Sequence, residues 1–104
     1  MKKAYWIKCG ADAWTEVTPK NGKDFSLEEL QDFIRDNKDD MVEIVPLPSG
    51  NLLVVNEEGK LIGLQNNESA TELWKKEYPI DKYPNNNDEL IVGNCLICPN
   101  NMIK

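Results

Sequence analysis

Short runs of apolar residues, separated by polar residues that form turns, recur along the chain and favour a sheet of short strands. Residues 4–9 are rich in aromatic and β-branched side chains, which predicts a strand, and residues 14–17 alternate as its hairpin partner would. The intervening Gly10, Ala11 and Asp12 are typical of a turn. The N-terminal part of the chain therefore predicts a β-hairpin.

Helical spacing of the apolar residues is clearest after residue 26. Ser26 and Glu29 have the spacing of a capping box, in which each side chain accepts a hydrogen bond from the other residue's amide. Apolar side chains then recur at helical intervals, which predicts one buried stripe made of Leu27, Leu30, Phe33 and Ile34. The charged run 35–40 ends this predicted helix in solvent.

Three strand-like segments follow and predict an antiparallel meander. Residues 41–45 and 51–55 flank a turn, and residues 61–64 pair back after the polar loop 56–60. Residues 51–55 are almost all apolar, which is typical of a strand that is covered on both faces. We therefore expect 51–55 to be a central strand.

A second helix is predicted to begin at Asn67 or Ser69. Ser69 and Glu72 have the spacing of another capping box. Trp74 lies on the apolar side of this helix, and Pro79 ends it because proline cannot continue helical hydrogen bonding.

The apolar run 90–98 closes the predicted sheet. Gly93 and Asn94 mark either a tight turn or a bulge within it. With strands and helices interspersed and short connections, the pattern predicts an α+β fold, a mostly antiparallel sheet of about five or six strands with two main helices. A length of 104 residues predicts a single domain over 1–104.

The charge balance disfavours direct binding of nucleic acid or of an anionic membrane. Twelve Lys and Arg residues against eighteen Asp and Glu give a formal net charge of −6, and Arg35 is the single arginine. Affinity for phosphate backbones comes from cationic side chains. Lys75 and Lys76 beside Trp74 and Tyr78 form the one basic and aromatic grouping, where we expect Trp74 to pack in the core.

The chain shows the features expected of a cytoplasmic protein. No apolar run approaches the roughly 20 residues that cross a bilayer, and the basic start lacks the apolar stretch of a signal peptide. Three cysteines are an odd count, whereas small secreted domains usually pair an even number. We therefore expect free thiols in a reducing compartment.

Catalytic chemistry is disfavoured because the chain contains no histidine, the usual acid–base group near neutral pH. Cys95 and Cys98 have the CxxC spacing of zinc and redox sites, and Cys9 is the only other thiol. In a strand, however, residues three apart point to opposite faces, which favours buried or edge thiols over a metal or redox role. We expect no catalytic residue, no metal and no cofactor, and therefore a protein that is not an enzyme.

Acidic residues suggest two further chemistries. Glu57 and Glu58 are adjacent, so their side chains diverge, and a solvated loop tip is favoured over a cation site.

An acidic surface on and after the first helix has two interpretations, an ordinary solvated face or a phosphate mimic that occupies a host DNA-binding enzyme. Its members are Glu28, Glu29, Asp32, Asp36, Asp39 and Asp40.

Several motifs together resemble a known family. They are FSLEELQ at 25–31, VEIVPL at 42–47, LVVNEEGK at 53–60, Asn67 followed by Ala70 and Thr71, and LIVGN at 90–94. This pattern resembles domain-of-unknown-function family 3846, which is found in bacteria, phages and mobile elements. Its most specific part is segment 55–60 together with the downstream pattern of Asn67, Ala70 and Thr71. The resemblance implies a cytoplasmic, mobile-element setting and no particular activity.

The resemblance strengthens the hypothesis of a binding site on one loop surface. Polar groups beside a helix N-terminus can receive a polar ligand. The candidate binding residues are Asn56, Glu57, Glu58, Lys60, Asn66 and Asn67. As an alternative, Asn56 and Asn67 cap the turn and the helix internally.

We expect a non-enzymatic accessory module that contacts a protein partner through this surface. Two alternatives remain, a small-molecule or nucleotide-binding module that uses the same residues, and the acidic decoy. The sequence leaves the identity of the partner and the oligomeric state open.

Overall fold

Five of the extended segments form one sheet, and two helices pack against it in the computed structural model. The structure describes residues 2–35, 40–60, 62–79, 81–83 and 90–103. The elements in chain order are β1 (Ala4–Ile7), β2 (Thr15–Val17), α1 (Leu27–Ile34), β3 (Val42–Pro46), β4 (Asn51–Asn56), α2 (Glu68–Glu77) and β5 (Cys95–Pro99), followed by a 3-10 helix (Asn100–Met102). Within these ranges, neither α-helix has the length or the apolar composition that a bilayer crossing requires.

The strand nearest the C-terminus occupies the middle of the sheet. The strand order is β2-β1-β5-β4-β3, and every neighbouring pair is antiparallel. Ile97 of β5 pairs with Tyr5 of β1 on one side and with Leu53 of β4 on the other. The predicted α+β fold is confirmed, with five strands in one antiparallel sheet and two α-helices among the described residues.

Each face of the sheet carries its own buried cluster, because successive side chains of a strand point to opposite faces. One cluster joins β5 to α2 and contains Cys95, Ile97 and Trp74. The other joins β5 to α1 and contains Leu96 and Cys98. The two helices therefore cover opposite faces of the sheet.

The start of α1 follows the prediction from its capping box. The Ser26 hydroxyl accepts a 3.2 Å hydrogen bond from the Glu29 amide, and the Ser26 amide donates to the Glu29 carboxylate at 3.0 Å. The predicted buried stripe is wrong at Leu27, whose side chain is 60 % exposed. Phe25, just before the cap, is buried in the core at this end of α1, where the stripe assigned Leu27.

The start of α2 differs from the predicted capping box at Ser69 and Glu72. Asn67 is the N-cap residue, and its side chain accepts from the Ala70 amide. The helix thus begins two residues before a Ser69 cap, and the Ser69 hydroxyl instead accepts a 2.7 Å hydrogen bond from Nε1 of Trp14.

The prediction of a third meander strand is wrong for its described residues, 62–64. Residues 62–64 form a turn in which the Ile62 amide donates to the Glu58 carbonyl and the Leu64 amide donates to the Gly59 carbonyl. Residue 61 lies outside the described ranges. The position beside β4 is occupied by β5, so residues 62–64 do not pair there.

The segment before β5 leaves the sheet. Val92 makes a single bridge to Asn66, and β5 begins only at Cys95. Gly93 between them has φ +76°, a conformation that glycine adopts without steric cost. The kink at 93–94 therefore precedes the strand, which is neither of the two predicted arrangements.

Candidate functional site

The loop after β4 is a tight turn built on Asn56. This residue ends β4 and is 5 % exposed. Its Oδ1 accepts a 2.9 Å hydrogen bond from the Glu58 amide, and its carbonyl accepts one of 3.2 Å from the Gly59 amide. Asparagine suits this position because its short side chain hydrogen-bonds to the backbone two residues on. The turn exposes the side chains of Glu57, Glu58 and Lys60.

The amide group of Asn56 also holds Asp40, two residues before β3. Its Nδ2 donates a 2.9 Å hydrogen bond to Oδ2 of Asp40, which is 6 % exposed, and the Glu57 amide donates to the Met41 carbonyl. A carboxylate at this depth needs hydrogen-bond donors to offset its lost hydration. The prediction that placed Asp40 on an exposed acidic surface is therefore wrong.

Two other carboxylates of that predicted surface are also engaged within the fold. The backbone amides of Ser26 and Lys20 donate to Glu29 and hold the pKa of its carboxyl below the ordinary value. Asp32 pairs with Arg35 at 2.7 Å. These contacts reduce the charge that the surface can offer as a phosphate mimic. Two further members, Asp36 and Asp39, lie outside the described residues.

The 56–60 turn lies against the segment before β5. A Cβ atom at Gly59 would approach Cγ2 of Val92 to 2.9 Å, and one at Gly93 would approach Cδ1 of Leu64 to 2.8 Å. Both distances are shorter than ordinary van der Waals contact, so glycine at these two positions allows the close packing.

Asn67 joins α2 to the ends of two sheet segments. It is fully buried, its Oδ1 accepts from the Ala70 amide at 3.2 Å, and its Nδ2 donates to the carbonyls of Ile7 at 2.9 Å and Gly93 at 3.0 Å. The interpretation that Asn56 and Asn67 cap the turn and the helix internally is confirmed.

Thr71 of α2 fixes the backbone of Ile91. The Thr71 Oγ1 accepts a 3.0 Å hydrogen bond from the Ile91 amide and lies 3.3 Å from the Ile91 carbonyl oxygen. The Asn67 amide donates to the same carbonyl at 2.8 Å. Segment 90–92 lies outside the sheet strands but is held to α2 by these bonds.

A cavity of about 160 Å³ is formed by the turn, α2, the β3–β4 hairpin and segment 90–92. Its polar residues are Glu43, Asn56, Glu57 and Lys60, and all of them except Asn56 are exposed. Its apolar walls are Val45, Val55, Trp74 and residues 90–92. Binding sites for small molecules commonly combine apolar walls with a few polar groups in this way.

Trp74 is one wall of this cavity, and its indole N–H is enclosed by the fold without an acceptor among the described residues. The side chain is 9 % exposed, and its buried Nε1 has no hydrogen-bond partner in the part of the chain that the structure describes. The other two indoles are paired, Trp6 to the Phe33 carbonyl at 2.9 Å and Trp14 to the Ser69 hydroxyl at 2.7 Å. Buried tryptophan N–H groups usually have a partner.

Aromatic contacts hold the Trp74 ring in place. Its centroid lies 4.3 Å from that of Tyr78, whose hydroxyl donates a 2.9 Å hydrogen bond to the Pro46 carbonyl. Tyr78 also contacts Tyr83, with a centroid distance of 4.9 Å. The orientation of the indole is therefore constrained from one side.

The structure divides the predicted binding residues between two places. Asn56, Glu57 and Lys60 line the cavity, and Glu58 is exposed on the same turn. Asn66 and Asn67 instead border a polar depression of about 400 Å³ at the start of α2. Reasoning from sequence omitted Glu43 and assigned Trp74 to the core alone, although the need of a buried indole for an acceptor was a usable signal.

The cysteines are free, and two of them are buried. Cys95 and Cys98 lie on opposite faces of the sheet, as predicted from strand geometry. Burial raises the pKa of Cys95 to about 12 and that of Cys98 to about 11, so neither forms a reactive thiolate near neutral pH. Among the described residues, no three Cys, Asp or Glu side chains are grouped to hold a metal ion.

Comparison with known proteins gives one match. A family model with the description "Domain of unknown function (DUF3846)" matches residues 9–102. No curated protein and no solved structure matches the chain.

Proposed function

Because this chain belongs to the family described as Domain of unknown function (DUF3846), a description that specifies no activity, we propose its function from the cavity itself. The proposal is a non-enzymatic binding module that holds a small molecule between the 56–60 turn and Trp74. Absence of histidine from the whole chain and the raised pKa values of the buried thiols support the non-enzymatic part.

One observation carries the proposal, a cavity with apolar walls at Val45, Val55 and Trp74 and with polar side chains at its opening. A ligand that covers these walls binds the folded chain alone and stabilises it by mass action. Ligand-free and ligand-bound states would therefore differ in stability.

The size of the cavity favours a ligand smaller than a nucleotide. An apolar cavity of roughly 150 Å³ is known to accommodate benzene, whereas sites for drug-sized ligands are typically about 300–1,000 Å³. The cavity here is about 160 Å³, and we therefore propose a ligand of one ring rather than a whole nucleotide.

A thermal-shift screen with single-ring fragments at millimolar concentration tests this function. Val45→Phe fills the cavity, and Val42→Phe is a matched control because Val42 lies on the same strand but packs on the α1 face. We expect fragments that raise the melting temperature of the wild type and of Val42→Phe but not of Val45→Phe. A screen without any such fragment overturns the proposal.

A second candidate, a protein-interaction module, is favoured by exposed apolar residues beside the turn. Ile62 is 40 % exposed and Leu90 is 45 % exposed, and both flank the exposed charges of Glu57 and Glu58. Large exposed apolar side chains rimmed by charge are typical of protein contacts. Pull-down from host lysate with the wild type and an Ile62→Ser, Glu57→Lys, Glu58→Lys variant tests it, and identical protein lists would argue against it.

We also propose a cytoplasmic location and, from the family resemblance, a mobile-element or phage setting. Free buried thiols support a reducing compartment. Intact-mass measurement of the chain isolated from its own host, with and without reductant, tests the compartment, and a disulfide in the native protein would contradict it.

A further inference from the structure

We infer that the outer edge of β3 binds an extended peptide of another protein, in which a lysine or arginine lies between two apolar residues. Peptide binding at this edge is a function separate from the proposed small-molecule site and needs no ligand in the cavity. Among the described residues, the backbone groups of this edge and one carboxylate beside them have no partner, and an apolar groove adjoins them.

The outer edge of β3 presents unused backbone groups. In the described sheet β3 is an edge strand whose one neighbour is β4. Directly after β3, the Leu47 amide donates to the Asn51 carbonyl, so the odd-numbered residues make the ladder bonds to β4. Because such bonds alternate along an antiparallel pair, the N–H and C=O groups of Val42 and Ile44 point away from β4. An extended peptide adds a further strand to an edge of this kind.

Pro46 ends this free edge. Proline has no N–H, and the Pro46 carbonyl already accepts a 2.9 Å hydrogen bond from the Tyr78 hydroxyl. Within sheets, proline is found on edge strands where the missing N–H would face solvent, which agrees with the outward direction of the even-numbered residues. A docked strand therefore pairs with the N–H and C=O groups of Val42 and Ile44, and its central part is short.

An apolar groove adjoins the edge on the α1 face of the sheet. Ile44 is 40 % exposed and Leu27 is 60 % exposed, and both line a groove of about 340 Å³. In a paired strand, the residues opposite Val42 and Ile44 project to the same face as these two side chains. Apolar residues at those positions would cover the exposed surface. The other residues that line the groove are Phe25, Ser26, Leu30 and Ile103.

The central residue of the docked strand lies opposite Glu43 on the other face. Glu43 is exposed and forms no ion pair with any residue that the structure describes. Glu57 and Lys60 line the same cavity as Glu43, so two carboxylates and one ammonium leave this surface negative, as is the chain with its net charge of −6. Opposite charges at facing positions of antiparallel strands stabilise the pair. These charges favour a lysine or an arginine opposite Glu43.

The same charges disfavour a second copy of this chain as the occupant. If Val42 paired with Ile44 of a second copy, the pairing would use all the outward groups of both residues. It would also place the two Glu43 side chains directly opposite each other, because Glu43 is the residue between them. Like charges at facing positions destabilise a strand pair, and each copy has a net charge of −6. A cationic peptide meets neither repulsion.

Titration of the ¹⁵N-labelled chain with the peptide acetyl-Thr-Val-Lys-Val-Thr-amide tests the inference. We expect the amide signals of Val42 and Ile44 to move, to saturate at millimolar peptide and to exchange more slowly with solvent, while the amides of the opposite edge, Thr15–Val17, stay unchanged. The same peptide N-methylated at both valines cannot donate to the outward carbonyls of β3. It should bind at least about tenfold more weakly.

An exchange of charge assigns the contact with Glu43. The wild type should prefer the lysine peptide over acetyl-Thr-Val-Glu-Val-Thr-amide by at least about twofold, and Glu43→Lys should reverse this preference. Glu72→Lys makes the same change at an exposed position of α2 that borders the polar depression, and it should keep the wild-type preference.

A serine in the groove tests the apolar contact. Leu27→Ser removes an exposed side chain that lines the groove and should weaken the lysine peptide about threefold or more. Ile62→Ser is the matched control, because Ile62 is a 40 % exposed side chain outside the groove, and it should leave the affinity unchanged.

Three results would overturn the inference. The first is equal binding of the lysine and glutamate peptides to the wild type, or of the N-methylated peptide and its parent. The second is the absence of saturable movement at the amides of Val42 and Ile44. The third is a dimer of the chain alone in which these two amides are protected from exchange, which would show a second copy at this edge.

Discussion

The side-chain nitrogen of Asn56 donates a 2.9 Å hydrogen bond to the carboxylate of Asp40, and both residues are almost completely buried. This bond connects the end of β4 to the segment that leads into β3 and fixes one side of the cavity. Asn56 therefore shapes the site, while Glu57 and Lys60 on the same turn are exposed and line the cavity.

Asn56→Ala should lower the free energy of unfolding by about 1–3 kcal/mol, because Asp40 loses a donor and the Glu58 amide loses its acceptor. Urea denaturation measures this. Glu57→Ala, at the next and exposed position, is the matched control and should stay within about 0.5 kcal/mol of the wild type. Equal effects of the two substitutions would contradict the structural role of Asn56.

Asn67→Ala should lower the free energy of unfolding by about 3 kcal/mol or more, which would make it one of the most destabilising polar-to-alanine changes. It removes the N-cap of α2, worth about 1 kcal/mol, and takes away the buried amide group that donates to the carbonyls of Ile7 and Gly93. Ser69→Ala should cost at most about 0.5 kcal/mol, because its exposed hydroxyl is not the cap. Chemical denaturation measures the free energy of unfolding of both variants. A larger loss for Ser69→Ala than for Asn67→Ala would indicate that Ser69 is the cap, as the sequence predicted.

Local features of the fold were predictable from sequence because they depend on residues close together along the chain. The capping box of Ser26 and Glu29 spans three residues and forms as predicted. The neighbour of β4 was not predictable in the same way, since Leu53 and Ile97 pair across a sequence distance that no local pattern encodes. Segment 61–64 has strand-like composition, but its described residues form a turn.

The candidate site was predictable only in part for a similar reason. The polar composition of 56–60 identified a turn that lies at the cavity, and the apolar stripe of α2 identified Trp74 as a core residue. The burial of Trp74 without an acceptor among the described residues also depends on parts of the chain distant in sequence, such as Val45 and segment 90–92, which line the same cavity. The burial of Asp40 likewise depends on its long-range bond to Asn56.

Trp74→Phe should change the free energy of unfolding of the ligand-free chain by less than about 1 kcal/mol, although the side chain is buried. The smaller ring loses packing, but the substitution also removes a buried donor without a partner. Trp74→Ala should cost about 3–5 kcal/mol, as truncation of a core aromatic usually does. Thermal and urea unfolding measure both, and a loss above about 2 kcal/mol for Trp74→Phe would indicate that its N–H is already satisfied.

The capping box makes α1 sensitive to acid. The folded-state pKa of Glu29 lies below its ordinary value of 4.5, so its stabilisation is fully present above that pH and is lost as the pH falls through the lowered pKa. Melting temperatures of the wild type and Glu29→Gln should therefore differ near neutral pH and converge as the pH falls below 4.5 and through the lowered pKa. Glu28→Gln changes a neighbouring carboxylate outside the box and should show no such convergence.

The thiols should differ in reactivity according to their burial. We expect iodoacetamide to alkylate the half-buried Cys9 in the folded chain, and Cys95 and Cys98 only after unfolding in urea, as read by mass spectrometry. Burial raises the folded-state pKa of both buried thiols above the ordinary 9.0, so their contribution to stability holds below pH 9.0 and declines at higher pH. Rapid alkylation of Cys95 in the native state would contradict the buried arrangement.

A crystal structure of the chain soaked with the single-ring fragment that raises its melting temperature most tests the small-molecule site most directly. We expect the ring of the fragment between Val45, Ile91 and Trp74. A structure in which the fragment is bound elsewhere, with the cavity empty of ligand, would contradict the account.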